Sequence, residues 1–107
     1  MSTAPKSQIL KMSELAAYQE GSVVSRQITK ADAGNVTLFA FDQGQELSEH
    51  TAPFDALVHI LDGQAEISIA GQSFRVSAGE VIILPAGQPH AVKAPQKFKM
   101  LLTMIHA

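Results

Sequence analysis

The chain has 107 residues, enough for one domain and one core, and its hydrophobic (46%) and charged (17%) fractions are those of a folded globular protein, neither disordered nor fibrous. Ten acidic and eight basic residues leave a formal net charge of −2 without charged blocks, so no electrostatic footprint for nucleic acid or a membrane surface is present. With no cysteine, disulfides and thiolate chemistry are excluded, which agrees with a cytoplasmic setting, and no apolar run approaches the roughly 18 residues of a membrane span.

Residues 1–12 are polar and irregular and read as a flexible arm ahead of a single domain over 13–107. Ser13 to Tyr18 is expected to form one helical turn, with Ser13 as N-cap and Glu14 near the positive end of the dipole. From Val23 onward short apolar runs are separated by Gly, Asn, Asp and Pro, the pattern of an all-β barrel or sandwich. The predicted strands are Val23–Ile28, Val36–Phe41, Phe54–Leu61, Ala65–Ile69, Phe74–Val76, Val81–Leu84, Ala91–Val92 and Phe98–Ile105. Turns are expected at Asp32–Asn35, Asp42–Gly44, Ala70-Gly71 and Ala78-Gly79, with Asp62-Gly63 as a type I′ hairpin turn.

Two of these strands, Phe54–Leu61 and Phe98–Ile105, are apolar on both parities, so both faces need cover. One face can line a barrel interior. The other, carrying Leu57, His59 and Leu61, predicts a homodimer in which the partner or its N-terminal segment covers it.

The chemistry-bearing residues fall in two segments set out by turn residues. The first has Gly44, five residues, His50, one residue, Ala52, three residues, Ala56, six residues and Gly63. The second has Gly79, five residues, Pro85, Ala86, Gly87, two residues, His90, three residues and Ala94. In register and separation these resemble the two motifs of the cupin superfamily, G-x5-H-x-H-x3-4-E-x6-G and G-x5-P-x-G-x2-H-x3-N. The resemblance covers Gly44 to Ala94 closely. It implies a double-stranded β-helix, the jelly-roll barrel, with the metal-ligand positions facing inward.

This sequence departs from the pattern at Ala52, Ala56 and Ala94, where the family carries its second histidine, its glutamate and its terminal asparagine. Of the family's metal-ligand positions, His50 and His90 keep coordinating side chains, and they are expected to meet inside the barrel. Residues 50, 52, 54, 56 and 58 share a face if the chain stays extended through Pro53, so a mostly apolar pocket is expected. Its lining is His50, Ala52, Phe54, Ala56 and His90, with Met100, Leu102 and Met104 from the last strand. Glu49 and Asp55 have the opposite parity and should point away from His50, as should His59. His106 reads as a solvated terminal residue, and Lys93, Lys97 and Lys99 as a basic edge that discourages strand addition.

A barrel that binds a small molecule, with the two histidines as polar anchors, is the leading expectation, and no catalytic residue is assigned. The resemblance also implies a metal-dependent alternative of the dioxygenase or isomerase type, with His50 and His90 as residual ligands for zinc, iron, manganese or nickel. Metal sites in proteins ordinarily have three or four protein ligands, which weighs against it. Acid–base catalysis by either imidazole, as in family epimerases, is a third reading, and it lacks a carboxylate to orient the ring.

Overall fold

The computed structural model describes residues 3–106 and closes the predicted runs into an all-β barrel. After a 3-10 turn at Met12–Glu14 come β1 (Val23–Ala31), β2 (Gly34–Phe41), β3 (Glu46–His50) and β4 (Ala56–Ile69). They are followed by β5 (Gln72–Ser77), β6 (Val81–Leu84), β7 (His90–Lys93) and β8 (Phe98–Ile105). All pairings are antiparallel. One sheet runs β1-β2-β8-β4-β6 and the other β3-β7-β4-β5, with β4 in both.

The expected Asp62-Gly63 hairpin is absent. β4 continues through these residues as one 14-residue strand with a bulge between Ile60 and Asp62. Its first half pairs with β6 and its second half with β5 and β7, so the two halves have separate partners and do not fold onto each other. A type I′ turn needs two positive φ angles, and only Gly63 has one here, at 74°. A side chain at Gly63 would sit 2.0 Å from the Lys97 carbonyl oxygen, so the glycine also permits a close backbone crossing. The two-residue turn with both φ positive is Ala70-Gly71, at 50° and 84°, joining Ile69 to Gln72.

Other boundaries differ from expectation as well. Glu46–His50, too polar to read as a strand, is β3, because its exposed side chains alternate with an inward Leu47. The strand expected from Phe54 starts at Ala56. Ser13 lies within the 3-10 turn, with no side-chain cap at its start, and its carbonyl accepts a hydrogen bond from Lys99 Nζ at 2.6 Å.

Phe41 and Phe98, both fully buried and stacked with centroids 4.4 Å apart, fill the barrel together with Ile60, Ala65, Ile67 and Val76. Burying each such side chain contributes about 1.5–3 kcal/mol. A second cluster lies outside the first sheet. There Leu38 and Ala40 are covered by Met12, Leu15, Ala16 and Tyr18 of the same chain, and Leu61 packs into this cluster. Leu61 is therefore covered from within. Leu57, Val81, Ile83 and Ile105 stay exposed, and His59 is half-buried.

The N-terminal segment is held by polar contacts as well. Ala4, which is buried, donates its amide to the Ile28 carbonyl, and Arg26 donates to the Leu15 carbonyl. Tyr18 donates its hydroxyl to Asp62, and the Lys97 and Lys99 ammonium groups lie 5.6 and 4.9 Å from the Tyr18 ring centroid. Burial first, then the Asp62 carboxylate, pushes the Tyr18 hydroxyl above the usual tyrosine range, so it remains a donor. The three lysines do not guard an edge. Lys93 and Lys99 lie on β7 and β8, each paired on both sides, and Lys97 immediately precedes β8. Of the expected arm, Met1 and Ser2 lie outside the described residues.

The two positive-φ sites should respond oppositely to substitution. Gly63→Ala combines left-handed strain with a backbone clash and should cost about 2 kcal/mol or more. Ala70→Asn puts a residue tolerant of that region into the hairpin turn and should stabilise by about 0.5–1 kcal/mol. Urea midpoints of the two variants against the parent check both signs.

Candidate functional site

Two backbone features bring the histidines together. The β3–β7 register shifts between Leu47 and His50, which lets Leu47 and His50 face the same interior although they are three residues apart. His50 then pairs directly across from His90. The turn at Pro85–Gly87 that launches β7 is fixed to the chain after β3: the Gly87 amide donates to the Ala52 carbonyl at 2.8 Å, and the Ala86 amide to Asp55 Oδ1 at 2.8 Å.

The two Nε2 atoms are 3.1 Å apart, with the rings edge to face and centroids 4.3 Å apart. His50 Nδ1 lies 2.8 Å from the Ser48 carbonyl oxygen and His90 Nδ1 3.3 Å from that of Gln88. Each ring is thus oriented by a carbonyl two residues earlier. His50 is exposed and His90 is buried, so the pair leads from solvent inward.

Behind the pair is a cavity of about 110 Å³ lined by His50, Ala52, Ala56 and His90, by Met100, Leu102 and Met104, and also by Leu47, Val58, Leu84 and Val92. Seven of the eight expected lining residues are brought together. Phe54 is not: the chain bends at Pro53 and Phe54, ending the shared parity, and the Phe54 ring stacks on His106 at 4.3 Å, outside the cavity. His106 is correspondingly not a free terminal side chain. Val58 and Val92 follow from alternation with Ala56 and His90, whereas Leu47 depends on a bulge that no sequence signal marks. Ala94 is buried in the core, with its amide and carbonyl bonded to Gln45 and Gly44, away from the cavity lining.

Residues 37–106 match the family described as the cupin domain. The chain belongs to the cupin family. Its fold is similar to that of a conserved protein of unknown function from Streptococcus pyogenes, at 34% identity and TM-score 0.92, covering 100% of this chain and 96% of that one. A cupin superfamily protein from Desulfitobacterium hafniense is similar at 28% identity and TM-score 0.91, over 99% and 97% of the two chains. A Cupin 2 conserved barrel domain protein from Leptotrichia buccalis shares 40% identity at TM-score 0.84, over 87% of this chain and 45% of that one. No curated protein matches the chain. Among the described residues no helix is long and apolar enough to cross a membrane.

In this cupin the donor set does not fit a resident divalent metal. Two imidazole nitrogens converge, but the positions of the other two family donors are Ala52 and Ala56, which line the same cavity without a donor atom. Among the described residues no group of three or more His, Cys, Asp or Glu side chains is gathered to hold an ion. Asp55, which is near in sequence, accepts from the Ala86 amide, and Glu49 is exposed.

Burial first, and then the charge of His50, lowers the His90 pKa below its ordinary 6.5, against the opposing effect of the Gln88 carbonyl. The unfolded chain therefore binds this proton more tightly than the folded one. The associated stability is fully present above pH 6.5 and is lost as pH falls from there through the folded value. Urea midpoints should decline as pH drops below 6.5, and His90→Gln should flatten that decline. An unchanged slope in the variant would assign the acid loss to other groups.

Proposed function

We propose that this cupin binds a small organic molecule in the cavity behind His50 and His90. The observation that supports the reading most is the coincidence of Ala52 and Ala56 with the wall of an apolar cavity whose polar groups are the two imidazoles. Cavities of this make-up, mostly apolar with a few convergent polar groups, suit small ligands. Methionines 100 and 104 give the wall unbranched side chains that adapt to different ligand shapes.

The test uses the methyl resonances of Met100 and Met104, followed by NMR while a panel of small neutral and charged organic compounds is titrated. Binding should shift both methyls. Ala56→Leu, which fills the cavity, should abolish the shifts. A panel that moves neither methyl in the parent would overturn the reading.

The metal-dependent enzyme reading has the convergence of two Nε2 atoms in its favour and the donor count against it. If the count decides, Ala52→His with Ala56→Glu should raise affinity for a divalent transition metal by orders of magnitude, as four donors replace two. Calorimetric titration of both proteins with Zn²⁺ or Ni²⁺ checks this, and tight binding by the parent would reinstate the metal.

We propose too that two copies pair through the outer face of β4, β6 and β8. Leu57, Val81, Ile83 and Ile105 form an exposed apolar strip there that the N-terminal segment does not cover. Leu57→Asp should convert a dimer to a monomer with the fold kept, since Leu57 is surface-accessible. Sedimentation of the parent as a monomer at micromolar concentration would end this proposal.

A further inference from the structure

We infer that each copy of the proposed dimer docks its N-terminal loop on the other, with Ile9 seated in the groove between Leu57, Ile83 and Ile105. This rests on the proposed pairing of two copies and adds the residue that each supplies to its partner.

The outer face of the first sheet has two halves. Over one half, Met12 to Tyr18 cover Leu38 and Ala40. The other half is a row across the strands: Val36 of β2 opposes Thr103 of β8, Thr103 opposes Leu57 of β4, and Leu57 opposes Ile83 of β6. Leu57, Ile83 and the neighbouring Ile105 are exposed there and line a groove of about 160 Å³ together with Thr103 and Asp55. A cavity of about 150 Å³ holds a benzene ring, so the groove has room for one aliphatic side chain.

The N-terminal loop starts at the same level of the sheet. Ala4 donates its amide to the carbonyl of Ile28, which adjoins Thr29, and Thr29 opposes Val36. That anchor on β1 is three strands from Leu57 on β4, about 14 Å at the usual strand spacing. Residues 5–9 are all exposed, and Ser7 turns the chain with a φ of 60°. Left-handed backbone at a residue other than glycine persists where the flanking structure holds it. Here buried Ala4 holds one side and the Met12–Tyr18 cover the other.

Of the five large apolar side chains exposed among the described residues, four belong to β4, β6 and β8, and the fifth is Ile9. The chain thus has one apolar projection and one apolar groove. Ile9 stays in solvent within its own chain because the chain continues from it to Met12 and Leu15 over the covered half. Two copies related by a two-fold axis fill both grooves at once and close as a dimer. Charge agrees with this occupant. Asp55 is the ionisable residue among those lining the groove, and its side chain is exposed although one oxygen accepts from the Ala86 amide. Lys6 and Lys11 flank Ile9, and since Lys11 pairs with Glu14 at 3.8 Å, Lys6 is the cation offered to Asp55.

The chain has no cysteine, so introduced thiols report without background. Ile9→Cys and Ile83→Cys proteins are mixed, left to exchange subunits and oxidised, and mass spectrometry of the digest reads which positions are joined. A link between position 9 of one chain and position 83 of the other is expected. Ile9→Glu should weaken the dimer at least about tenfold in sedimentation, as for expelling one aliphatic side chain from an apolar site. Its circular dichroism should match the parent, because Ile9 is fully exposed. A dimeric parent without the 9–83 link, or an Ile9→Glu variant that dimerises as tightly as the parent, overturns the docked loop. Either result leaves the pairing of the faces standing if Leu57→Asp still splits the dimer. A parent that is monomeric at micromolar concentration overturns both.

Discussion

The barrel depends on a single strand being shared by both of its sheets. β4 pairs with β6 and β8 over its first half and with β5 and β7 over its second, and the change of partners happens where the strand bulges after Ile60. The bend requires the backbone of residue 63 to pass within contact of the Lys97 carbonyl, which a side chain would prevent. Gly63 thus permits the close crossing at the point where β4 changes partners. The inward positions of each half of β4 (Ala56, Val58 and Ile60, then Ala65 and Ile67) are all buried against the opposite sheet. The aromatic stack of Phe41 and Phe98 lies beside the bend, where Phe98 pairs with Gly63, so the packed half of the barrel is built around the crossing.

The other half is built around the pairing of β3 with β7. Neither strand is long, and each has only a few ladder partners, so their relative position relies on the loops: the Ala52 carbonyl and Asp55 carboxylate grip the Pro85–Gly87 turn. These are bonds from the backbone and from a residue of outward parity, and they are independent of what occupies positions 52 and 56. The framework that presents four donors in the family pattern can therefore persist with two alanines in it. What changes is the interior, from a cluster of donors to a cavity with imidazoles at one side.

Much of this was legible in the sequence because strand parity and turn chemistry are local. β6 and β8 have the bounds read from apolar runs alone, and the turn residues placed His50 and His90 in register. The errors occur where a tertiary contact overrides a local signal. Asp62-Gly63 has hairpin chemistry, yet its glycine is needed for a crossing with a strand 35 residues later in the chain. Glu46–His50 is polar because it lies on an exposed edge, which hides a strand from any hydrophobic pattern. The parity count that places Phe54 in the cavity holds on either side of it and fails at Pro53, where the chain bends. Leu61 looked like an interface residue because the segment that covers it, Met12 to Tyr18, is distant in sequence and short of regular structure.

The cavity itself bears on why such an interior is retained. Residual cavity volume destabilises a fold by about 24 cal/mol per Å³, so about 110 Å³ corresponds to roughly 2–3 kcal/mol. That is a substantial share of the stability of a domain this size, typically about 5–15 kcal/mol in total. Leucine or methionine at position 52 or 56 would remove the volume, and both are already common in this wall. A chain under no demand other than folding has an easy route to a filled barrel. Alanine at both positions, beside two imidazoles whose orientation is fixed by backbone carbonyls, keeps the space open at the one place where polar groups can reach into it. Stability forgone at that location, with Phe41, Phe98 and Ile67 fully buried elsewhere in the core, is the physical argument behind the proposal that this cavity is a ligand site.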